Sequence, residues 1–220
     1  MRRTPRNSVV VGVDVGGVKK GFHAVALRDG QFFGKLNTLD AVAVIQWCRS
    51  LRASAVGIDA PCCWSLSGHA RPCESALAME GIHAFATPSR AVGGRHPFYG
   101  WMRKGDALYR RIAHHYPLFD GTLPTSRPVS FETFPHAVGC ALAGTILSGK
   151  RKRIDRLKLL RETGLSTESL TNIDQIDAAL CAVTARYLLA GNVNMYGNLK
   201  EGFIVVPKIE RSSRKPASIF

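Results

Sequence analysis

The sequence predicts an α/β protein in which a mixed sheet is flanked by helices. Two observations lead to this prediction. Three strand-like segments follow one another near the start of the chain, at 8–15, 20–28 and 31–39, with short turns between them. Helical and strand-like segments then alternate, which is typical of crossovers between parallel strands. The first three strands should therefore form an antiparallel meander, and the later strands should join it in parallel.

The remaining elements follow from the spacing of apolar residues and from turn residues. Asp40 can cap the helix that follows it, because its carboxylate can accept a hydrogen bond from a free backbone N–H group. Residues 62–128, where Gly, Pro, His and Arg are scattered, are interpreted as an insertion on the core. In chain order we predict a helix at 41–53, a strand at 54–61, two helices of the insertion at about 71–80 and 99–116, a strand at 128–135, helices at 136–147, 150–163 and 171–191, and a strand at 203–207.

The length of 220 residues, 45% of them hydrophobic, is sufficient for one domain with a full core. We expect this domain to span 8–207, with a disordered basic tail at 1–7 and a mobile basic tail at 208–220. The sequence contains no apolar run of about 18 residues and no recognisable signal segment, so we predict a cytoplasmic protein without membrane contact. The six cysteines form no CxxC pair and match no common zinc motif, which favours reduced core thiols.

The chain is strongly basic. Thirty Lys and Arg residues against sixteen Asp and Glu give a net charge of +14, and such an excess attracts polyanions, of which nucleic acid is the first to consider. A solvated basic surface without a ligand is the alternative. The charge is clustered, however, since KRKRIDRLKLLR at 150–161 contains seven basic residues and one acid. Candidate phosphate contacts are Lys19, Lys20, Lys150, Arg151, Lys152 and Arg153.

Acidic residues are scarce, so their positions are informative. Asp14 lies in the middle of the apolar first strand, where an ionised carboxylate is unfavourable unless a cation, a metal or strong donors compensate it. Asp59 ends the fourth strand and Glu132 lies in the fifth. If the strands of Asp14 and Asp59 are neighbours, as the crossover suggests, their carboxylates lie side by side. Asp174 and Asp177 are three residues apart, which places them on one face of the last long helix.

Clustered carboxylates repel one another, so such a site requires cations. Two Mg²⁺ or Mn²⁺ ions would offset the repulsion, and they are also suited to activating water and stabilising the leaving oxygen in phosphodiester cleavage. The pattern therefore predicts a metal-dependent nuclease. Its candidate metal ligands are Asp14, Asp59, Asp174 and Asp177, and its candidate catalytic residues are Asp14, Asp59, Asp177 and Glu132.

Each of these acids also has a structural explanation. Asp174 could cap the last helix, with Asp177 favouring its first turn. Asp59 could begin a turn, because it lies two residues before a proline. Glu132 could pair with an arginine. Asp14, in mid-strand, is the hardest to explain in this way.

Six motifs occur in a fixed order along the chain: GVDVGGVKKGFHAVAL, GIDAPCCWS, RPCE, FETFP, DQIDAALCAVTA and EGFIVVP. In this order they resemble the family called Domain of Unknown Function 429, which is grouped with predicted nucleases of the ribonuclease H-like fold. The resemblance covers about 8–207. It implies a mixed five-stranded sheet flanked by helices, with acidic positions that map to Asp14, Asp59, Glu132 and Asp177.

The last-helix motif DQIDAALCA also resembles the D-x-x-D-A motif of Holliday-junction resolvases, which carries both Asp174 and Asp177 as candidates. The chain departs from these relatives at two points. Its first helix lacks the glutamate of ribonuclease H proper, and Asp59 stands where resolvases place a glutamate.

Three further residues match the family. Arg71 could clamp a phosphate and Glu74 could join the acidic cluster, or the two could form an i, i+3 ion pair on a helix. Glu201 is expected to end a loop before the final strand.

Two other classes of function remain open. One is a catalytically inactive nucleic-acid-binding module of the same fold, which the substituted acids favour. The other is an actin-like-fold phosphotransferase, whose phosphate-binding hairpin also begins with a strand resembling VDVGG. Such proteins duplicate the fold, and this chain has no second Gly-rich hairpin.

Overall fold

The computed structural model describes residues 7–17, 19–123, 125 and 127–209. The basic tails predicted at 1–7 and 208–220 lie almost wholly outside these described residues. None of the helices within the described ranges is long and apolar enough to cross a membrane. In chain order the elements are β1 (Val9–Val15), β2 (Phe22–Arg28), β3 (Gln31–Thr38), α1 (Ala41–Ser50), β4 (Ala55–Asp59), α2 (Pro72–Met79), α3 (Arg90–Gly93), a 3₁₀ turn (Pro97–Tyr99), α4 (Gly100–Ile112), β5 (Val129–Glu132), α5 (Pro135–Ala143), a second 3₁₀ turn (Gly149–Arg151), α6 (Lys152–Glu162), α7 (Ile173–Leu189), β6 (Val193–Asn198) and β7 (Gly202–Pro207).

The strands form one mixed sheet in the order β3-β2-β1-β4-β5-β7-β6. The first three strands pair antiparallel, whereas β4, β5 and β7 continue from β1 in parallel. This arrangement confirms the predicted ribonuclease H-like α/β class. In the described part of the chain the sheet has seven strands rather than five, and β6 pairs antiparallel with β7 at one edge. Sequence pattern alone misses β6 because only one of its six residues is buried, so it lacks the apolar signal of a core strand.

The sheet is covered on both faces by helices. Because successive side chains of a strand point to opposite faces, Val10 joins the core beneath α7 and α5, whereas Val11 joins the core beneath α1 and α4. All seven residues of β1 are buried, as expected for a central strand. The predicted helix cap is also observed, since the carboxylate of Asp40 accepts a hydrogen bond of 2.8 Å from the backbone N–H of Val42.

The segment between β4 and β5, predicted as an insertion, contains α2, α3 and α4. Leu77 of α2 is fully buried in the core beneath α7, and Leu108 of α4 is fully buried in the core on the opposite face. The segment therefore contributes to both cores of the domain.

Two glycines allow α7 to lie directly on the centre of the sheet. Gly12 in β1 and Gly57 in β4 are partners in the parallel register. A Cβ atom on Gly12 would overlap the backbone of Ala178 in α7, and one on Gly57 would lie 2.7 Å from the carbonyl oxygen of Cys181. Neither position can carry a side chain unless the helix moves. Strand alternation then directs the residues two positions further along each strand to the same face, beside the start of α7.

We expect Gly12→Ala to lower the free energy of unfolding by about 3 kcal/mol, because the added methyl group must displace helix backbone. Thermal denaturation followed by circular dichroism measures this effect. Gly149→Ala is the matched control, since a Cβ atom there meets nothing within 4 Å. Equal melting temperatures for the two variants would contradict the close helix–sheet contact.

Candidate active site

Asp14 and Asp59 lie opposite each other in register on the adjacent parallel strands β1 and β4. Asp14 is 9% exposed, and Asp59, the last residue of β4, is partly buried. Among the residues that the structure describes, neither carboxylate has a hydrogen-bond or ion-pair partner. The juxtaposition expected from the crossover is therefore observed, and among the described residues no Lys or Arg side chain is ion-paired with either of these adjacent carboxylates.

The electrostatic surroundings of this pair disfavour its charge. Removal from water, together with the negative charges of Asp177 and Asp174, raises the pKa of Asp14 to about 8. The pKa of Asp59 is also raised well above its ordinary value, first by burial and then by the charges of Asp14 and Asp177. The positive charges of Lys20 and Arg156 oppose the shift at Asp14 but do not cancel it. The site is thus deficient in positive charge.

The two acids of α7 are held differently, because each has a cation as its partner. Asp177 is ion-paired with Arg156 of α6, and both side chains are buried. Asp174 accepts a hydrogen bond of 2.9 Å from Nζ of Lys20. The alternative that Asp174 caps the helix is wrong, since Asn172 is the capping residue. Burial still raises the pKa of Asp177 despite the charge of Arg156.

Glu132 belongs to a buried ion-pair network rather than to this charge-deficient pair. Arg71 is 1% exposed, and its guanidinium donates to Glu132 at 2.6 Å and to Glu74 at 2.9 Å. Glu132 also accepts a hydrogen bond of 2.8 Å from the backbone N–H of Cys62. The i, i+3 ion pair foreseen as one alternative is the one observed. In this arrangement Arg71 has no free surface for a phosphate, and the carboxylate of Glu74 is bound to Arg71 and Thr87.

Glu201 lies immediately before β7, as expected. Its carboxylate accepts a hydrogen bond of 2.8 Å from the backbone N–H of Leu66, and its carbonyl oxygen accepts one from the thiol of Cys63. The residue therefore holds the loop that follows β4 against the start of β7.

The predicted phosphate contacts lie on two surfaces. Lys20, 59% exposed, is bound to Asp174 at the turn between β1 and β2, and Lys19 beside it is exposed. Four basic residues at the start of α6 and in the turn before it are also exposed; they are Lys150, Arg151, Lys152 and Arg153.

Arg156 is a functional-site residue that the sequence analysis does not single out. It lies three and four positions before Leu159 and Leu160, so it shares the buried face of α6 with them. That spacing is the signal that distinguishes it from the exposed basic residues of the same helix. A buried arginine requires a carboxylate partner, and Asp177 supplies it.

The donor set suits a hard divalent ion. Within the described ranges, no three or more Asp, Glu, His or Cys side chains converge closely enough to hold a metal ion by themselves. Mg²⁺, however, commonly takes one or two protein carboxylates and completes its shell with waters and substrate phosphates. Asp14 and Asp59 fit this requirement. A further ion at Asp174 and Asp177 would compete with Lys20 and Arg156.

Topology and site together define an α/β protein of the ribonuclease H-like class with a carboxylate pair at the ends of β1 and β4. Residues 12–201 match the family described as protein of unknown function DUF429, and the chain belongs to this family. Among solved structures, a Thermus thermophilus RuvC structure is 15% identical, with a TM-score of 0.46, over 83% of this chain and 96% of that chain. T. thermophilus RuvC in complex with a Holliday junction substrate is 17% identical, with a TM-score of 0.43, over 84% and 96% of the respective chains. No curated protein matches the sequence.

Asp14→Asn should stabilise the metal-free protein at alkaline pH. The raised pKa of Asp14 means that the folded state holds a proton that the unfolded state releases, so stability falls as pH rises from about 4 to about 8. Asparagine is uncharged and escapes this loss. We expect a gain on the order of 1–3 kcal/mol above pH 8, shrinking towards pH 4, in melts with a metal chelator. The exposed Glu168→Gln is the control, and a variant no more stable than wild type at high pH would refute the charge deficit.

Glu132→Gln should destabilise the protein, because it leaves the buried guanidinium of Arg71 with one carboxylate instead of two. Breaking a buried ion pair in this way costs about 3–5 kcal/mol. Urea denaturation, with Glu168→Gln as control, measures the loss. Unchanged stability combined with loss of activity would instead assign Glu132 to the chemistry.

Proposed function

We propose that this protein is a metal-dependent nuclease that hydrolyses phosphodiester bonds in nucleic acid. The observation that carries the proposal is the pair formed by Asp14 and Asp59, two neighbouring carboxylates without a cation partner among the described residues. A divalent ion supplies the missing charge and also has positions left for phosphate oxygens. The net charge of +14 supports a polyanionic substrate.

Asp14 and Asp59 would hold the Mg²⁺ or Mn²⁺ ion. When bound, such an ion polarises a phosphoryl oxygen and lowers the pKa of a coordinated water. The two carboxylates would hold the ion at the strand ends, and both strands are central in the sheet and therefore rigid. Rigid placement of this kind favours a defined position for the scissile phosphate.

The two basic side chains beside the site, Arg156 and Lys20, have different proposed roles. Arg156, buried against Asp177, keeps one acid neutralised and thereby limits the repulsion around Asp14. Lys20 is exposed enough to exchange between Asp174 and a phosphate oxygen of the substrate. A two-ion arrangement would also draw on Asp174 and Asp177 after release from these cations. We therefore place the primary ion position at Asp14 and Asp59.

Asp14→Asn and Asp59→Asn should each lower the rate of cleavage at least a hundredfold, which corresponds to about 2.7 kcal/mol of transition-state stabilisation. The assay uses purified protein with Mg²⁺ or Mn²⁺ on single-stranded, duplex, hybrid and branched substrates. Glu168→Gln should retain wild-type activity. Titration calorimetry with Mn²⁺ provides an independent readout, in which wild type binds and Asp14→Asn does not. A protein that cleaves none of these substrates and binds no Mn²⁺ would refute the proposal.

A nucleic-acid-binding module without catalysis is the second candidate. The ion pairs of Asp174 with Lys20 and of Asp177 with Arg156 favour it, because part of the acidic cluster is neutralised by the chain itself. Such a module would bind nucleic acid in a salt-dependent manner with no metal requirement. Binding measured in chelator and in Mg²⁺ separates the two candidates.

A further inference from the structure

An exposed aromatic cluster lies in the segment between β4 and β5. Phe85 is 65% exposed and Phe98 is 53% exposed. Their ring centroids are 5.9 Å apart with an interplanar angle of 70°. Phe85 also contacts the ring of Trp101 at 6.4 Å, and Phe98 contacts that of Tyr99 at 5.1 Å. We call these four residues the aromatic cluster.

The aromatic cluster adjoins the candidate active site. Phe85 and Trp101 line a small cavity of about 50 Å³ together with Asp59. A group bound against Phe85 would therefore lie close to Asp59, one member of the carboxylate pair. The aromatic cluster is a candidate substrate contact because it lies beside Asp59, the last residue of β4, and not only because it is apolar.

The charge around the cluster favours a polyanion. Residues 81–106 contain four Arg or Lys residues and one acid, Asp106, which pairs with Arg90. Arg95 is exposed, and Arg103 donates hydrogen bonds of 3.0 and 2.7 Å to the carbonyl oxygens of Gly93 and His96. These bonds fix the turn that carries Phe98. An apolar protein partner gives no reason for this excess of positive charge.

Aromatic rings interleaved with basic residues are suited to unpaired bases, because every base can stack on a ring while the backbone contacts cations. Bases inside a duplex are stacked on one another and cannot reach the rings. We propose that Phe85 and Phe98 form a stacking platform for unpaired bases beside Asp59, so that the substrate is single-stranded nucleic acid. This inference rests on the proposed function for the identity of the adjacent site and specifies its substrate class.

The test measures binding without cleavage. Fluorescence anisotropy in chelator compares a labelled oligothymidylate of about 16 nucleotides, which spans common site sizes, with a blunt duplex of equal length. Phe85→Leu/Phe98→Leu should weaken single-strand binding at least tenfold, since each stacked base contributes about 1–3 kcal/mol, and duplex binding less than about twofold. Phe33→Leu, an exposed phenylalanine on the edge strand β3, should leave both unchanged.

Ultraviolet cross-linking of wild-type protein to oligothymidylate gives a second readout that needs no variant. Peptide mass spectrometry should locate the cross-link at Phe85 or Phe98. Cross-links found only elsewhere, or equal losses of single-strand and duplex binding in the double variant, would overturn the inference.

The two proposals fail in different ways. Loss of single-strand binding in Phe85→Leu/Phe98→Leu, together with no cleavage by wild type under any condition, would keep the stacking platform and remove the nuclease. Cleavage by wild type with undiminished binding by the double variant would keep the nuclease and remove the platform.

Discussion

The contact between α7 and the paired glycines of β1 and β4 is the constraint on which the site depends. Gly12 and Gly57 leave no Cβ atom between helix and sheet, so the backbone of α7 rests on the strands themselves. Asp14 and Asp59 lie two residues after these glycines. Because side chains alternate between the two faces of a strand, both carboxylates point to the face on which α7 begins. Asp177 is then close enough for its charge to raise the pKa of both. Helix packing and site electrostatics therefore have a common origin.

The carboxylates of the central strands and of α7 fall into two kinds. Glu132 and Asp177 each have a buried arginine as partner, which is how proteins ordinarily tolerate buried charge. Asp14 and Asp59 have no such partner among the described residues, although burial and like charges act against them. Perturbed acids of this kind mark functional sites more often than structural ones. The candidate site is therefore identified by the two acids that lack a basic partner within the described ranges, and not by the number of acids.

Much of this organisation could be predicted from the sequence, and the failures have two causes. The mid-strand position of Asp14, the crossover to β4 and the capping role of Asp40 depend on local patterns that the sequence displays. Glu132, which pairs with Arg71, and Asp177, which pairs with Arg156, lie 61 and 21 positions from their partners, a separation for which no local pattern exists. The edge strand β6 was not predicted because its exposed side chains carry no core signal.

The buried Arg71 network has a mechanical consequence. Through Glu132, Glu74 and the backbone of Cys62, it ties the start of α2 and the loop after β4 to β5. The aromatic segment also meets this network, because the backbone N–H of Thr87 donates to Glu74 at 2.9 Å. The segment is therefore anchored at Thr87, through Glu74 and Arg71, to β5 of the sheet. Phe85, at the centre of the proposed stacking platform, lies two residues from this anchor, which limits how far its ring can move relative to Asp59.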